Sequence, residues 1–224
     1  MSDSAATVIT DLVCPLLGTA ICCAMYLSPL QAVLAARRSG SLGTLNPVPF
    51  GIAVLNALGW AMYAVLLRDY FIFVANAPGV VFGMFFVISS LSLLSKTDGG
   101  MHSPVYRVLE LILVVGLSCY ALLIMIIGIT VAGQGVAKTV VAFVANGLCI
   151  IYYSAPCSTM LTVVRTRDPS SLHLPMILAN ALNAVMWCVY GFFALNDLFV
   201  YVPNGIGLFL ATLQLSLIAI YRNS

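Results

Sequence analysis

The chain has 224 residues, 62% of them hydrophobic and 7% charged, with a mean hydropathy of +1.10 and a formal net charge of +2. A soluble domain has about a quarter of its residues charged, so this composition calls for a bilayer as solvent. The basic residues sit in separate loops rather than in a patch, which excludes a nucleic-acid surface.

A spanning helix needs about 20 apolar residues. Seven segments qualify, at about 8–36, 47–67, 71–95, 105–131, 137–164, 174–194 and 198–221. The first lacks a basic leader and a clear cleavage site, so it is expected to stay as an uncleaved anchor. Segments one, three and five are long for a plain span, which allows tilt or kinks. Pro29, Pro78, Pro156 and Pro203 fall in or near helix interiors, where neighbouring helices can satisfy the freed carbonyls. The seven cysteines lie inside apolar runs without metal-ligand spacing and read as small hydrophobes. No metal or cofactor is expected.

Basic residues set the expected orientation. Arg37, Arg38, Lys96, Arg107, Arg165, Arg167 and Arg222 fall in one set of connections, and Arg68 and Lys138 in the other. The positive-inside rule makes the first set cytoplasmic, with the N-terminus outside and the C-terminus inside.

The chain is also duplicated. Asn56, Trp60 and Tyr63 recur 127 residues later as Asn183, Trp187 and Tyr190. Phe71, Asn76 and Gly79 recur 128 residues later as Phe199, Asn204 and Gly207. The change of offset falls at the polar break between two apolar runs, where a loop is expected to absorb it. Pro29 pairs with Pro156 and Pro49 with Pro175, at offsets of 127 and 126. Repeat one covers about 8–95 and repeat two about 137–221, with the helix at about 105–131 as connector. One intervening helix makes the two copies parallel, a transporter arrangement. The expected fold is therefore all-α and integral to the membrane, a single transporter domain over 1–224: seven transmembrane helices as two parallel three-helix repeats joined by a linker helix.

Uncharged carboxamides suit a polyhydroxylated substrate. Asparagine offers two donors and an acceptor oxygen to vicinal hydroxyls, and an indole face stacks on the C–H face of a pyranose. Four asparagines at duplicated depths in apolar helices therefore mark a candidate pocket; the alternative is interhelical bridging. Trp60 and Trp187 share a helix face with Asn56 and Asn183 at i, i+4; the alternative for them is an interfacial belt. His102 and His173 read as solvated loop residues. No catalytic constellation is present, so the chain is not expected to be an enzyme. A seven-helix receptor does not predict the internal repeat.

These residues resemble the SWEET (MtN3/saliva) family of sugar transporters. The likeness runs over nearly the whole chain, through SPLQAVLAARRSGSLGTLNPVPF, LNALGWAMYAVLL, FVANAPG, YSAPCSTMLTVVRTRDPSSLHLP, LNAVMWCVYG and VPNGIG. The resemblance implies a bidirectional uniporter that passes mono- or disaccharides by alternating access. It implies substrate contacts from Asn76, Asn204, Trp60, Trp187, Asn56 and Asn183, and hinges at Pro29, Pro49, Pro156 and Pro175. It also implies an outer gate of Tyr63 and Asp197, and selectivity positions at Met25 and Ile151, whose bulk favours a hexose such as glucose over sucrose. The partners implied are a sugar, the lipid bilayer and a homo-oligomer, trimer-like; the location implied is the plasma membrane, with an intracellular membrane as the other option. Ala64 departs from the glycine often found after the helix-two tyrosine. The alternative function is a proton-coupled amino-acid or other small-solute exporter of the PQ-loop type. Such a carrier needs an acidic residue deep in a helix. Only Glu110 lies well inside a span, on the connector, and it is expected to pair with Arg107.

Overall fold

The computed structural model describes residues 2–97, 99–129 and 133–221. Among the described residues, seven helices are long and apolar enough to cross a membrane: α1 Ser4–Ser39, α2 Val48–Leu67, α3 Tyr70–Leu94, α4 Pro104–Ile127, α5 Gly135–Thr166, α6 Leu174–Ala194 and α7 Leu198–Tyr221. The expected ends agree to within a few residues, because apolar run length is read directly along the chain. Arg222, Asp98 and the expected last residues of α4 at 130 and 131 lie outside the described residues.

Local chemistry sets the ends. Pro49 and Pro175 both occupy the second helical position of their helices, α2 and α6. A missing N–H costs nothing there, so the loosening expected of an interior proline does not apply to these two. Arg68 takes a left-handed conformation after α2, and Asp69 caps α3 by accepting the Ile72 N–H at 2.8 Å. Asn196 and Asp197 repeat this at the start of α7, where Asp197 accepts the Phe199 N–H at 3.0 Å.

This turn corrects the expectation about the offset. The residues between tyrosine and left-handed residue number four in repeat one and five in repeat two. The extra residue is held in a π-helical turn, Tyr190–Ala194, at the end of α6, not in the loop. A π turn is the local form of a one-residue insertion in an α-helix. Beyond it the bonding is the same: Asp69 donates its N–H to Ala64 O, and Asp197 to the matching Gly191 O, each at 2.9 Å.

The molecule has two compact units, and they do not coincide with the repeats. One joins the chain up to Cys22 with that from Cys149 onward; the other runs from Cys23 to Leu148. The division points fall at repeat-related positions, since Cys22 and Cys149 are 127 apart. In the first unit α6 packs on α7, the π turn of α6 touches a second π turn, Ile9–Val13, in α1, and Val163, Leu172, Ile177 and Ala211 form a buried cluster. In the second unit α2 packs on α3 and on α4 around buried Val54, Val87 and Leu109.

Candidate functional site

The unit Cys23–Leu148 holds the repeat-one residues. Asn56, Trp60 and Tyr63 fall along one side of α2, at i, i+4 and i+7. Trp60 is 8% exposed and Tyr63 fully buried, with their rings edge to face at 5.9 Å. An interfacial belt does not account for an indole this deeply covered. The Lys138 ammonium stands 5.8 Å over the Tyr63 ring, close enough for a cation–π attraction. Nothing in the sequence linked Lys138 to Tyr63, because they are distant in the chain. Asn76, on α3, is 9% exposed. Its Nδ2 donates to Ile72 O at 2.8 Å, and its Oδ1 accepts from the Tyr26 hydroxyl at 3.3 Å.

The other unit holds the repeat-two set. Trp187 and Tyr190 are both 6% exposed and meet edge to face at 6.0 Å. The Trp187 indole N–H donates to Asn183 Oδ1 at 3.1 Å, and the Cys22 thiol donates to the same oxygen at 3.2 Å. The indole lies against Gly18 of α1, where an added Cβ would stand 2.9 Å from the ring. Half-buried Asn204 donates its Nδ2 to Val200 O at 2.7 Å. The acceptors of Asn76 and Asn204 are thus matched residues, Ile72 and Val200, each one turn back on its own helix. One of the two carboxamide N–H groups is committed in both copies, fewer free donors than the side chain alone suggested. For Asn183 the Cys22 bond supplies the interhelical bridging that the sequence left open.

Other expected positions are distributed as follows. Asp197 is 5% exposed, so it is not a solvated turn residue, and its carboxylate caps α7. Met25 is half-buried and Ile151 is exposed. Pro29 lies in the break of α1 between Leu27 and Leu30, whereas Pro156 lies inside unbroken α5. Glu110 is exposed and does not pair with Arg107. The Arg107 guanidinium donates instead to His102 Nδ1 at 3.2 Å, because the chain before α4 folds back over the first turn of that helix. The sequence did not single out Tyr26 or Tyr153, although their 127-residue spacing is the one signal that could have found them.

An internally duplicated, multi-pass helical bundle with uncharged polar side chains at matching positions of its two copies is a transporter scaffold. Comparison with known proteins makes this specific. The profile of a family described as "Sugar efflux transporter for intercellular exchange" matches residues 13–97 and 139–224, one stretch for each repeat. The chain belongs to this family, the MtN3/saliva or SWEET proteins. It is 31% identical to "Sugar transporter SWEET1" of Caenorhabditis elegans, over 88% of this chain and 61% of that protein. It is 30% identical to "Bidirectional sugar transporter SWEET1b" of Oryza sativa subsp. japonica, over 92% of this chain and 77% of the relative. The chain thus spans less than two thirds of the nematode relative's length. The fold matches the solved structure of a eukaryotic SWEET transporter with a TM-score of 0.82 at 22% identity, covering 96% of this chain and 98% of the other. That likeness supports the expected seven-helix fold of two parallel three-helix repeats and a linker.

Proposed function

We propose that this chain is a sugar uniporter. It carries mono- or disaccharides in both directions by alternating access, one three-helix repeat moving against the other, with a hexose such as glucose favoured over sucrose. Asn76 and Asn204 hold the sugar, Trp60 and Trp187 supply stacking faces, and Asn56 and Asn183 complete the polar contacts. The outer gate is Tyr63 with Asp197, Met25 and Ile151 set the pocket width, and Pro29 is the hinge proline, with Pro156 its counterpart in a continuous helix. The N-terminus faces outward and the C-terminus the cytoplasm.

The observation that carries this reading is the matched backbone bond of Asn76 and Asn204, each Nδ2 donating to the carbonyl one turn back on its own helix. Each carboxamide is pinned by one bond to its own helix, so it is preorganised and uncharged. A pinned amide loses little freedom when a hydroxyl arrives, and it adds no charge for a proton or sodium ion to compensate.

The test is transport by the purified protein in proteoliposomes, with glucose, sucrose and amino acids in parallel. Asn76→Ala and Asn204→Ala each remove a hydrogen-bond partner worth about 1–3 kcal/mol, so glucose affinity should fall about tenfold in either variant. Normal glucose uptake by both variants refutes the pocket. Glucose should equilibrate in both directions and ignore an imposed pH gradient. Accumulation above the outside concentration would falsify uniport.

A further inference from the structure

Tyr26 and Tyr153 occupy one register of the duplication. They are 127 residues apart, and each precedes the interior proline of its helix by three residues. Each ring lies where the facing helix has a glycine. A Cβ on Gly79 would lie 2.6 Å from the Tyr26 ring, and one on Gly207 would lie 2.9 Å from the Tyr153 hydroxyl. A Cβ at either glycine would force a neighbour to shift, so both glycines act as notches for a phenol. Gly79 and Gly207 follow Asn76 and Asn204 by three residues, so each notch seats a phenol about one helical turn along from a pinned carboxamide.

The two phenols then do different things. Tyr26 Oη reaches Asn76 Oδ1 at 3.3 Å, a long bond for this pair of atoms. Asn76 Nδ2 is already tied to Ile72 O at 2.8 Å, so only the carboxamide oxygen can face the phenol. Asn76 is thereby left with one N–H to give. Tyr153 Oη donates to Pro203 O at 2.8 Å. A phenol has one proton to donate, so Tyr153 leaves the Asn204 oxygen alone and ties down the backbone just before it.

We propose that Tyr26 and Tyr153 are positioning residues that make the two pocket asparagines unequal. Tyr26 turns Asn76 into a donor toward the sugar. Tyr153 holds the Asn204 segment and leaves that carboxamide oxygen to accept a sugar hydroxyl proton. The inference rests on the reading that both asparagines touch the sugar.

Tyr26→Phe and Tyr153→Phe keep each ring in its notch and delete only the hydroxyl. The experiment measures glucose KM and kcat in proteoliposomes for both, beside Asn76→Ala, Asn204→Ala and the unmodified chain, with a melting curve for each. Each Phe variant should raise KM about threefold or more, a small hydrogen-bond effect, with kcat and melting temperature nearly unchanged. Competition by a panel of monodeoxyfluoro-glucoses supplies the second readout, because fluorine cannot donate a proton. Tyr26→Phe should change the rank order of the panel, since Asn76 regains its acceptor, and Tyr153→Phe should preserve it. If both Phe variants match the unmodified chain while the Ala variants are impaired, the positioning role is overturned and the pocket stands. If the Ala variants also transport normally, the pocket falls and this inference falls with it.

Discussion

In repeat one, α1 breaks at Ser28 and Pro29; in repeat two, α5 runs unbroken through Pro156. The prolines occupy the same register, so the difference lies in what happens to the freed carbonyl. Pro29 cannot donate to Met25 O, four residues back. Ser28 takes that oxygen twice, through its N–H at 3.2 Å and its hydroxyl at 2.8 Å, which closes a tight turn and ends the helix. In α5 the serine comes one residue earlier. Ser154 donates to Ile151 O at 2.6 Å and does not touch the Tyr152 carbonyl that Pro156 frees. A duplicated proline therefore does not guarantee a duplicated bend; the neighbouring serine chooses.

The turns that follow α2 and α6 differ in a second way. Ala64 and Gly191 are matched, and both are buried. A Cβ on Gly191 would stand 2.9 Å from the Tyr201 backbone nitrogen and 2.9 Å from Val200 Cγ1. The π turn that absorbs the extra residue brings α6 and α7 that close, and only glycine fits there. Repeat one lacks the extra residue and accommodates alanine.

Three experiments would sharpen or break this comparison. The largest effect is expected at the matched turn position. Gly191→Ala drives a methyl into backbone and should cost about 1–3 kcal/mol, as overpacking does. Ala64→Gly loses only a methyl and helix propensity, about 1 kcal/mol. Thermal unfolding in detergent should rank them in that order, and the reverse ranking would remove the steric account of the π turn.

Next come the interior prolines. Pro29→Ala restores a donor for Met25 O in competition with Ser28 and should straighten α1. Turnover should then fall about fivefold, near 1 kcal/mol in the barrier, with little change in KM. Pro156→Ala alters a helix that is already continuous and should change turnover by less than about twofold. Equal slowing in both would mean that the break in α1 is not what matters for transport.

The smallest effect is expected at the helix caps. Asp69→Ala and Asp197→Ala each lose an N-cap worth about 1 kcal/mol, and the two stability losses should be similar. Asp197→Asn keeps the cap, because asparagine serves as well there. If the Asp197 charge also closes the outer gate, Asp197→Asn alone should raise thiol-reagent access to a cysteine placed beside Trp60 from outside. Unchanged access leaves Asp197 as a cap only.

By itself the sequence determined the seven spans, the duplication, the parallel arrangement of the repeats and the matching register of the asparagines and indoles. These follow from run length and spacing along one dimension, and a bilayer makes run length decisive because each span must satisfy its own backbone bonds. Tertiary structure decided the rest. It put the inserted residue into the π turn of α6, seated Tyr26 and Tyr153 in the notches of Gly79 and Gly207, spent one N–H of Asn76 and Asn204 on their own helices, and set Lys138 over Tyr63. It also parted α1 near Cys22 and α5 near Cys149, so that each compact unit holds segments of both repeats. Spacing records which residues correspond, but not which neighbour each one meets; that depends on close packing between segments far apart in the chain.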